Sequence, residues 1–345
     1  MVPFSLALAR AAQERSVVAS FSVSAEGALA PMLADLRADF APVSTFHRAA
    51  GALRADKLLR ARADLAKHVA AFAPDAVVVL MGHIWTPLTF GAMRARPTTR
   101  VGFILHDFEA HPGDGTAHVT PWINRSARHA DRVLCLSQGV AEAARTAGLF
   151  EPSRLRVLFH PIMGAPIAYQ PRNDDALRVL FFGRLQAYRG LAITVEAVER
   201  LRAAGRPVRL GVFGEGDLTP LRTRLEAIDA EVQNRWIAEE EVPEVLAQHD
   251  VMALSHIEAS QSGAAALALG AGMPLVVTPI GALPEQTGDG AAGVVASAAT
   301  GEAFAAALES VLAPGQLARL RAGARTLAEA HSPARFLDQL VAAMR

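Results

Sequence analysis

Residues 178–190 read Arg-Val-Leu-Phe-Phe-Gly183-Arg184-Leu-Gln-Ala-Tyr-Arg189-Gly190, and residues 208–217 read Val-Arg-Leu-Gly-Val-Phe-Gly214-Glu-Gly216-Asp217. Each stretch opens on a β-branched and aromatic run, turns on glycine, and passes into an Ala/Leu/Arg-rich helical pattern. Repeated along a chain, that unit is the signature of an α/β fold with parallel sheets. Working outward, the same alternation predicts strands at Arg178–Phe182, Val208–Phe213, Asn234–Ala238, Val251–Leu254, Leu275–Thr278 and Gly293–Ala296. Helices are expected near Leu191–Ala204, Leu218–Ala230, Ser262–Gly272, Glu302–Leu312 and Gln316–Ala330. In the first half the strand candidates are Val17–Val23, Ala76–Met81, Arg100–Leu105, Arg132–Leu136 and Arg156–Phe159, with the longest helical pattern at Gly51–Phe72. The segment Pro161–Asp175, rich in proline and polar residues, is the best boundary. It gives domains 1–163 and 164–330, followed by a closing helix in 331–345. No internal repeat is visible.

One local feature is unusual. A parallel α/β domain normally opens with a strand, yet Pro3–Glu14 reads as a helix from the outset. Either the first strand of the N-terminal domain is absent, or the start codon is set too late.

The 345 residues are 51% hydrophobic and 20% charged, enough apolar material for large buried cores and incompatible with a disordered chain. Lys+Arg and Asp+Glu both number 34, so no global charge points to nucleic acid. Residues 1–170 carry 18 basic and 13 acidic side chains, and residues 171–345 carry 16 and 21. Lys57 and Lys67 are the only lysines, so a phosphate held by a charged side chain in the second half must be held by arginine. The single cysteine, Cys135, excludes a disulfide framework and lies in an apolar run that suits a buried structural thiol. No uninterrupted apolar stretch approaches the ~18–20 residues of a membrane helix, and the N-terminus lacks a signal-peptide pattern. The expected compartment is the cytoplasm.

A third glycine-bearing turn, Glu258-Ala-Ser-Gln-Ser262-Gly263, follows the Val251–Leu254 strand and runs into a helix. Glycine lets a backbone approach closely, and a helix start offers unpaired N–H groups with partial positive charge. Ligands in open α/β sheets bind beyond the carboxyl ends of the strands, where all three turns belong. Each turn alone is ordinary turn chemistry, and a lone arginine there is ordinary surface pairing. Together, Arg184, Arg189 and a helix start at one sheet edge suit a diphosphate.

The ordered set Phe-Phe-Gly183-Arg184-Leu-x3-Arg189-Gly190, Val-Phe-Gly214-x-Gly216, Ser255-x2-Glu258, Ala271-Gly272-Met-Pro274 and Gly281-x2-Pro-Glu285 resembles the donor half of the retaining GT-B glycosyltransferases of family 4. The resemblance covers roughly residues 177–330. It implies two Rossmann-like domains facing across a cleft, the N-terminal one for the acceptor and the C-terminal one for a nucleotide-sugar, with the last helix returning toward the N-terminal domain. Carried over by motif, Gly183, Arg184, Arg189, Gly214, Gly216, Ile237, Ser262 and Gly263 would bind the donor. Arg184 would touch its diphosphate, Arg189 standing where lysine is usual. Ile237 lies in the base-contacting segment, and Ser262 and Gly263 would present N–H groups to phosphate. Glu258 matches the first glutamate of the family's Glu-x7-Glu motif, which contacts the transferred sugar. The second glutamate, at the ribose, is absent: position 266 is alanine and 267 leucine. The sequence Glu-Ala-Ser-Gln-Ser-Gly resembles a variant subgroup of the same enzymes.

In the first half, Leu105-His106-Asp107-Phe-Glu109-Ala-His111-Pro-Gly-Asp114 is the densest polar cluster. The resemblance gives His106 the place of a histidine facing donor sugar and acceptor, and a His-Asp pair can orient hydroxyls and accept protons near neutral pH. The alternative is a capping histidine in a polar loop. His106, Asp107 and Glu258 are thus the catalytic candidates, and His83 and His111 the acceptor-side ones. The ligand types in this cluster match no zinc or EF-hand spacing, and no Asp-x-Asp motif occurs, so no metal and no cofactor is expected. The basic amphipathic helix within residues 48–67 is a candidate for peripheral contact with the inner face of a membrane, and equally suits a solvated helix face.

The expected activity is metal-independent transfer of a hexose from a nucleotide-sugar to a glycan or lipid-linked acceptor, in polysaccharide or glycoconjugate synthesis. Two other readings stay open. One is a non-catalytic GT-B scaffold that binds nucleotide-sugar or a partner, and the other is a sugar-nucleotide epimerase on the same fold.

Overall fold

The computed structural model describes residues 2–46, 49–94, 96–106, 108, 119–169 and 175–345. The chain divides into two compact units, one running to Pro161 and rejoined by Ser332–Arg345, the other spanning Ile162–His331.

The first unit opens on helix α1 (Val2–Glu14), followed by β1 (Ser20–Ser24), α2 (Leu29–Asp35), β2 (Asp39–Val43), α3 (Ala55–Phe72) and β3 (Ala76–Val79). After these come α4 (Thr86–Thr89), β4 (Arg100–Leu105), α5 (Thr120–Asn124), β5 (Arg132–Cys135), α6 (Gln138–Thr146) and β6 (Leu155–Val157). Its strands form two parallel sheets, β1-β2 and β3-β4-β5-β6. Strand β2 escapes the sequence reading because Pro42 interrupts its pattern, a residue tolerated only where a ladder N–H is not needed. Val101, Phe103, Leu105, Val133 and Cys135 alternate onto one sheet face and bury against Val140, Ala141 and Ala144 of α6. Burial pushes the Cys135 thiol up to about 12, which keeps it protonated and inert.

The second unit contains β7 (Leu177–Phe182), α7 (Leu191–Ala203), β8 (Val208–Phe213), α8 (Arg222–Ala227), β9 (Glu231–Gln233), α9 (Val242–Ala247) and β10 (Val251–Leu254). It continues with α10 (Gly263–Gly270), β11 (Leu275–Val277), α11 (Leu283–Gln286), β12 (Gly293–Val295), α12 (Gly301–Val311) and α13 (Gln316–Ala330). The sheet is parallel in the order β12-β11-β10-β7-β8-β9. That is the doubly wound Rossmann order, which reverses between β7 and β10. Val179 and Phe181 face a core shared with α7 and α12, while Leu180 faces the opposite core with Met252, Leu254 and α10. Both faces are covered, which is why these strands read as unbroken apolar runs. The strand expected at Asn234–Ala238 sits earlier, at β9. Asn234 turns its amide onto Gly216 and Arg235 pairs with Glu241, so the chain leaves the sheet there.

Helix α14 (Pro333–Met344) belongs to the first unit. Its Phe336 packs edge-on against Phe4 of α1 at 5.6 Å and against Phe159 at 5.9 Å. Arg100 and Arg132 donate to the carbonyls of Met344 and Ala343 at its C-terminus, where cations offset the helix dipole.

Candidate functional site

In a doubly wound sheet the crevice opens where the strand order reverses, beyond the carboxyl ends of the strands flanking that point. Here those strands are β7, which ends in Gly183-Arg184, and β10, which runs into the loop 255–262.

The β7 and β8 turns are laced together. Gly183 N–H donates to the Phe213 carbonyl and Leu185 N–H to that of Glu215, both at 2.9 Å. Asn234 accepts from Gly216 N–H at 3.1 Å and donates back to its carbonyl at 2.9 Å. Gly214, at φ +147°, comes so close that a Cβ there would stand 1.9 Å from the Gly183 carbonyl oxygen. The glycines at 214 and 216 therefore make room for the neighbouring turn. Gly183, at φ +102°, makes room for a side chain, since its Cβ would lie 2.5 Å from Arg189 Nη1.

Arg189 itself is buried, only 8% exposed, whereas Arg184 is exposed. Arg189 Nη1 donates to the Arg184 carbonyl and Nε to His256 Nε2, each at 3.3 Å, and the guanidinium lies 5.6 Å from the Phe181 ring centroid. Burial draws this cation down to about 10. The side chain thus ties the β7 turn to the β10 loop across the point of reversal.

The β10 loop is pinned on both flanks. Ser255 Oγ donates to the Gly190 carbonyl at 2.8 Å, and Ile257 N–H donates to that of Tyr188. Thr278 Oγ1 donates to the His256 carbonyl at 2.6 Å. Glu258 stands exposed between these anchors. At the start of α10, Ser262 Oγ caps the Ala265 N–H, and the Ser262 N–H is itself donated to Gln286 Oε1 at 2.8 Å. Ser262 is buried. Among the described residues the N–H groups of Gly263 and Ala264 have no partner, and a Cβ on Gly263 would meet nothing within 4 Å. What this helix start offers an anion is therefore Gly263 and Ala264. Ile237 is buried in the core with Phe213 and Leu246, while its neighbour Trp236 is 70% exposed.

In the first unit the candidate site residue His106 lies at the carboxyl end of β4. His106 Nε2 bonds the Leu80 carbonyl at 2.7 Å, so that nitrogen carries the proton. The Phe4 ring stands 6.0 Å from His106 and 6.2 Å from His160, which follows β6. Burial pushes His160 down to about 4, with His106 adding to the effect, so it stays neutral. Asp107, His111 and the cluster through Asp114 lie outside the described residues. His83, beyond β3, packs against both Phe46 and Trp85, at 5.2 and 5.5 Å. Among the described residues no group of three or more His, Cys, Asp or Glu could hold a metal ion. No described helix is long and apolar enough to cross a membrane. On and before α3, Leu53 is 91% and Leu59 65% exposed beside its basic residues.

Sequence reasoning missed Trp236, His160, Gln286 and the Glu26–Thr45 pair described below. Only Trp236 carried a signal, as a large aromatic next to an apolar core position.

Residues 176–314 match the family model described as "Glycosyl transferases group 1", and residues 5–162 match that of "Glycosyltransferase Family 4". The two matches together support a group 1, family 4 glycosyltransferase of GT-B fold. The chain is 32% identical over 187 residues to the D-inositol 3-phosphate glycosyltransferase of Geodermatophilus obscurus, covering 49% of this chain and 40% of that protein. It is 31% identical over 159 residues to the 2-deoxystreptamine glucosyltransferase of Streptomyces kanamyceticus, covering 43% of this chain and 40% of that one. The matches thus span less than half the length of either relative. Among solved structures it is similar to Anabaena HepE in complex with UDP and glucose, with a TM-score of 0.71, 15% identity, and coverage of 98% of this chain and 94% of that one. A glycosyltransferase from Rickettsia africae gives a TM-score of 0.74 at 13% identity, over 99% of this chain and 93% of that one. These likenesses define the fold, two Rossmann-like domains of GT-B type.

Proposed function

We propose that the protein transfers a hexose, with retention, from a nucleotide-sugar held by the second unit to a hydroxyl of a glycan or lipid-linked acceptor held by the first. The observation that carries this reading is the assembly at the reversal between β7 and β10, where Arg184, Arg189, the Gly263 and Ala264 N–H groups and Glu258 share one strand edge. The arginines and amides stabilise the departing diphosphate, which leaves on the face the acceptor attacks and accepts the acceptor proton. Glu258 binds hydroxyls of the transferred sugar, and His106 orients the acceptor. Arginine and helix amides take the place of a divalent metal. Because the structural relative HepE was solved with UDP and glucose, UDP-glucose is the first donor to try. The exposed Leu53 and Leu59, with the basic residues on and beside α3, support peripheral contact with an anionic membrane on the cytoplasmic side.

One observation favours the non-catalytic scaffold instead. Two groups assigned to the diphosphate, the Arg189 guanidinium and the Ser262 N–H, are already engaged internally. Incubating the purified protein with UDP-glucose and measuring UDP separates the readings. Slow, saturable release supports the transferase. Tight UDP binding without release, with or without a panel of sugar acceptors, would establish the scaffold.

A further inference from the structure

The first unit also carries a polar cluster that the reading above leaves unused, built at the ends of β1, β2 and β3 and the segments that follow them. Glu26, two residues beyond β1, has three donors on one oxygen. Its Oε2 accepts from Thr45 N–H at 2.8 Å, Thr45 Oγ1 at 2.7 Å and Ser24 Oγ at 3.2 Å. These bonds, led by that of the Thr45 side chain, hold its carboxyl below the usual range and so keep it ionised. Its other oxygen, Oε1, has no partner among the described residues, and the side chain is half-buried.

His83 supplies the complementary group. Trp85 N–H donates to His83 Nδ1 at 3.2 Å, so in the neutral ring the proton sits on Nε2. The two groups meet through the segment after β2, where Thr45 holds Glu26 and the ring of the next residue, Phe46, stands 5.2 Å from His83; burial lowers the tendency of His83 to charge, opposed by the field of Glu26. The surrounding rings are fixed. Trp85 Nε1 donates to the Ala52 carbonyl at 2.9 Å, and Phe46, 4.9 Å from Trp85, is pressed by Gly51, where a Cβ would stand 2.5 Å from Phe46 Cβ. A fixed acceptor oxygen, an N–H donor and aromatic faces, all beyond the carboxyl ends of parallel strands, are the groups a polyhydroxylated ring needs.

We propose that Ser24, Glu26, Thr45, Phe46 and His83 form the acceptor subsite, that it takes an uncharged or amine-bearing polyhydroxylated ring, and that Glu26 excludes rings carrying phosphate. Glu26 Oε1 accepts a hydroxyl or ammonium hydrogen, and His83 Nε2–H donates to a neighbouring ring oxygen. The proposal rests on the glycosyltransferase reading for calling the ring an acceptor, while the binding itself is measured without turnover.

The test is NMR titration of the purified protein with glucosamine, glucose and glucose 6-phosphate, each with and without UDP. Glucosamine should bind most tightly and glucose next, with glucose 6-phosphate at least about tenfold weaker than glucose. Glu26→Gln should erase the preference for glucosamine and admit glucose 6-phosphate. Thr45→Val, which removes one internal donor and keeps the carboxylate, should preserve the order even where it loosens the loop. Glucose 6-phosphate binding as well as glucose in the parent, an unchanged order in Glu26→Gln, or a lost order in Thr45→Val would each overturn the subsite. Ring binding in this order without any UDP-glucose turnover would fault the catalytic reading and uphold the subsite. Turnover with no ring order dependent on Glu26 would do the reverse.

Discussion

Replacing Arg189 by methionine separates what the buried cation does for the fold from what it does for a ligand. The substitution removes two hydrogen bonds of 3.3 Å, to the Arg184 carbonyl and to His256. Bonds from a charged donor at this long distance are worth the low end of their range, about 3 kcal/mol for the pair. Against this, burial lowers the cation from an ordinary 12.5 to about 10, so desolvation costs roughly 3 kcal/mol. The contact with Phe181 adds about 0.5–1 kcal/mol, most of which a thioether keeps. The opposing contributions nearly cancel, so Arg189→Met should unfold within about 1 kcal/mol of the parent, a Tm change of about 2–4 °C. The ligand response is where the charge matters. At UDP ~100 times its parent Kd, the parent gains about 2.7 kcal/mol. Losing a charge-assisted bond of about 1.5–3 kcal/mol weakens UDP roughly 10- to 100-fold, cutting the gain to about 0.4–1.4 kcal/mol. Arg184→Ala should lose as much ligand response with still less effect on stability, because Arg184 is exposed. The assay is thermal unfolding of the three proteins across a UDP titration, with calorimetry for affinity. A full UDP response in both variants would refute the diphosphate assignment. Loss of the response in Arg184→Ala alone would make Arg189 a structural tie between strands.

Glu258→Ala and His106→Ala should each lower kcat by at least ~100-fold while UDP, which lacks the sugar, binds as in the parent; near-full turnover in either variant removes that residue from the site. Gly263→Ala should leave the protein at least as stable, since the Cβ enters open space and alanine suits a helix better, yet weaken UDP about tenfold or more; unchanged affinity would mean no phosphate approaches there. EDTA should leave turnover unchanged, and activity abolished by EDTA and restored by magnesium or manganese would overturn the metal-independent mechanism. His160, held neutral down to about 4, gives a pH signature. The unfolded imidazole takes its proton near 6.5, so stability falls between about pH 6.5 and 4, by up to roughly 3 kcal/mol. His160→Asn should flatten that fall in Tm between pH 7.5 and 4.5, and an unchanged slope would exclude His160 as its source.

The strands β4, β8 and β10 were legible to the residue, and β7 to within one, because both sheet faces are covered and the apolar runs end abruptly on glycine or a polar residue. Strand β2 was not, because Pro42 breaks its pattern and its pairing with β1 is fixed only in three dimensions. The glycines at 183, 214 and 216 were visible as turn residues. Their division of labour was not. Whether a missing Cβ serves a ligand or a neighbouring chain depends on the lacing of two turns some thirty residues apart. The same limit explains Ile237 and Trp236. Motif position pointed to Ile237, whereas packing turns Ile237 into the core and leaves Trp236 as the aromatic surface of that segment.

What local sequence cannot specify is which polar groups are already spent. Ser262 has the residue type and position of a phosphate-binding cap, yet Gln286, two dozen residues on, takes its N–H and returns a bond to its carbonyl at 3.1 Å. That clamp fixes the start of α10 and shifts the open donors to Gly263 and Ala264. Arg189 is similar, because its chain position predicts a cation at the strand edge while its bonds to Arg184 and His256 make it the floor of the crevice. A cation held under a turn whose Cβ is missing, joined to both flanking loops, is poised to respond to an anion above it through the same atoms that order the loops. Donor binding and loop order would then be one event. In that case a diphosphate adds a charge-assisted partner to a cation whose burial is balanced only by neutral ones, which is why its charge, more than its bulk, should decide the UDP response.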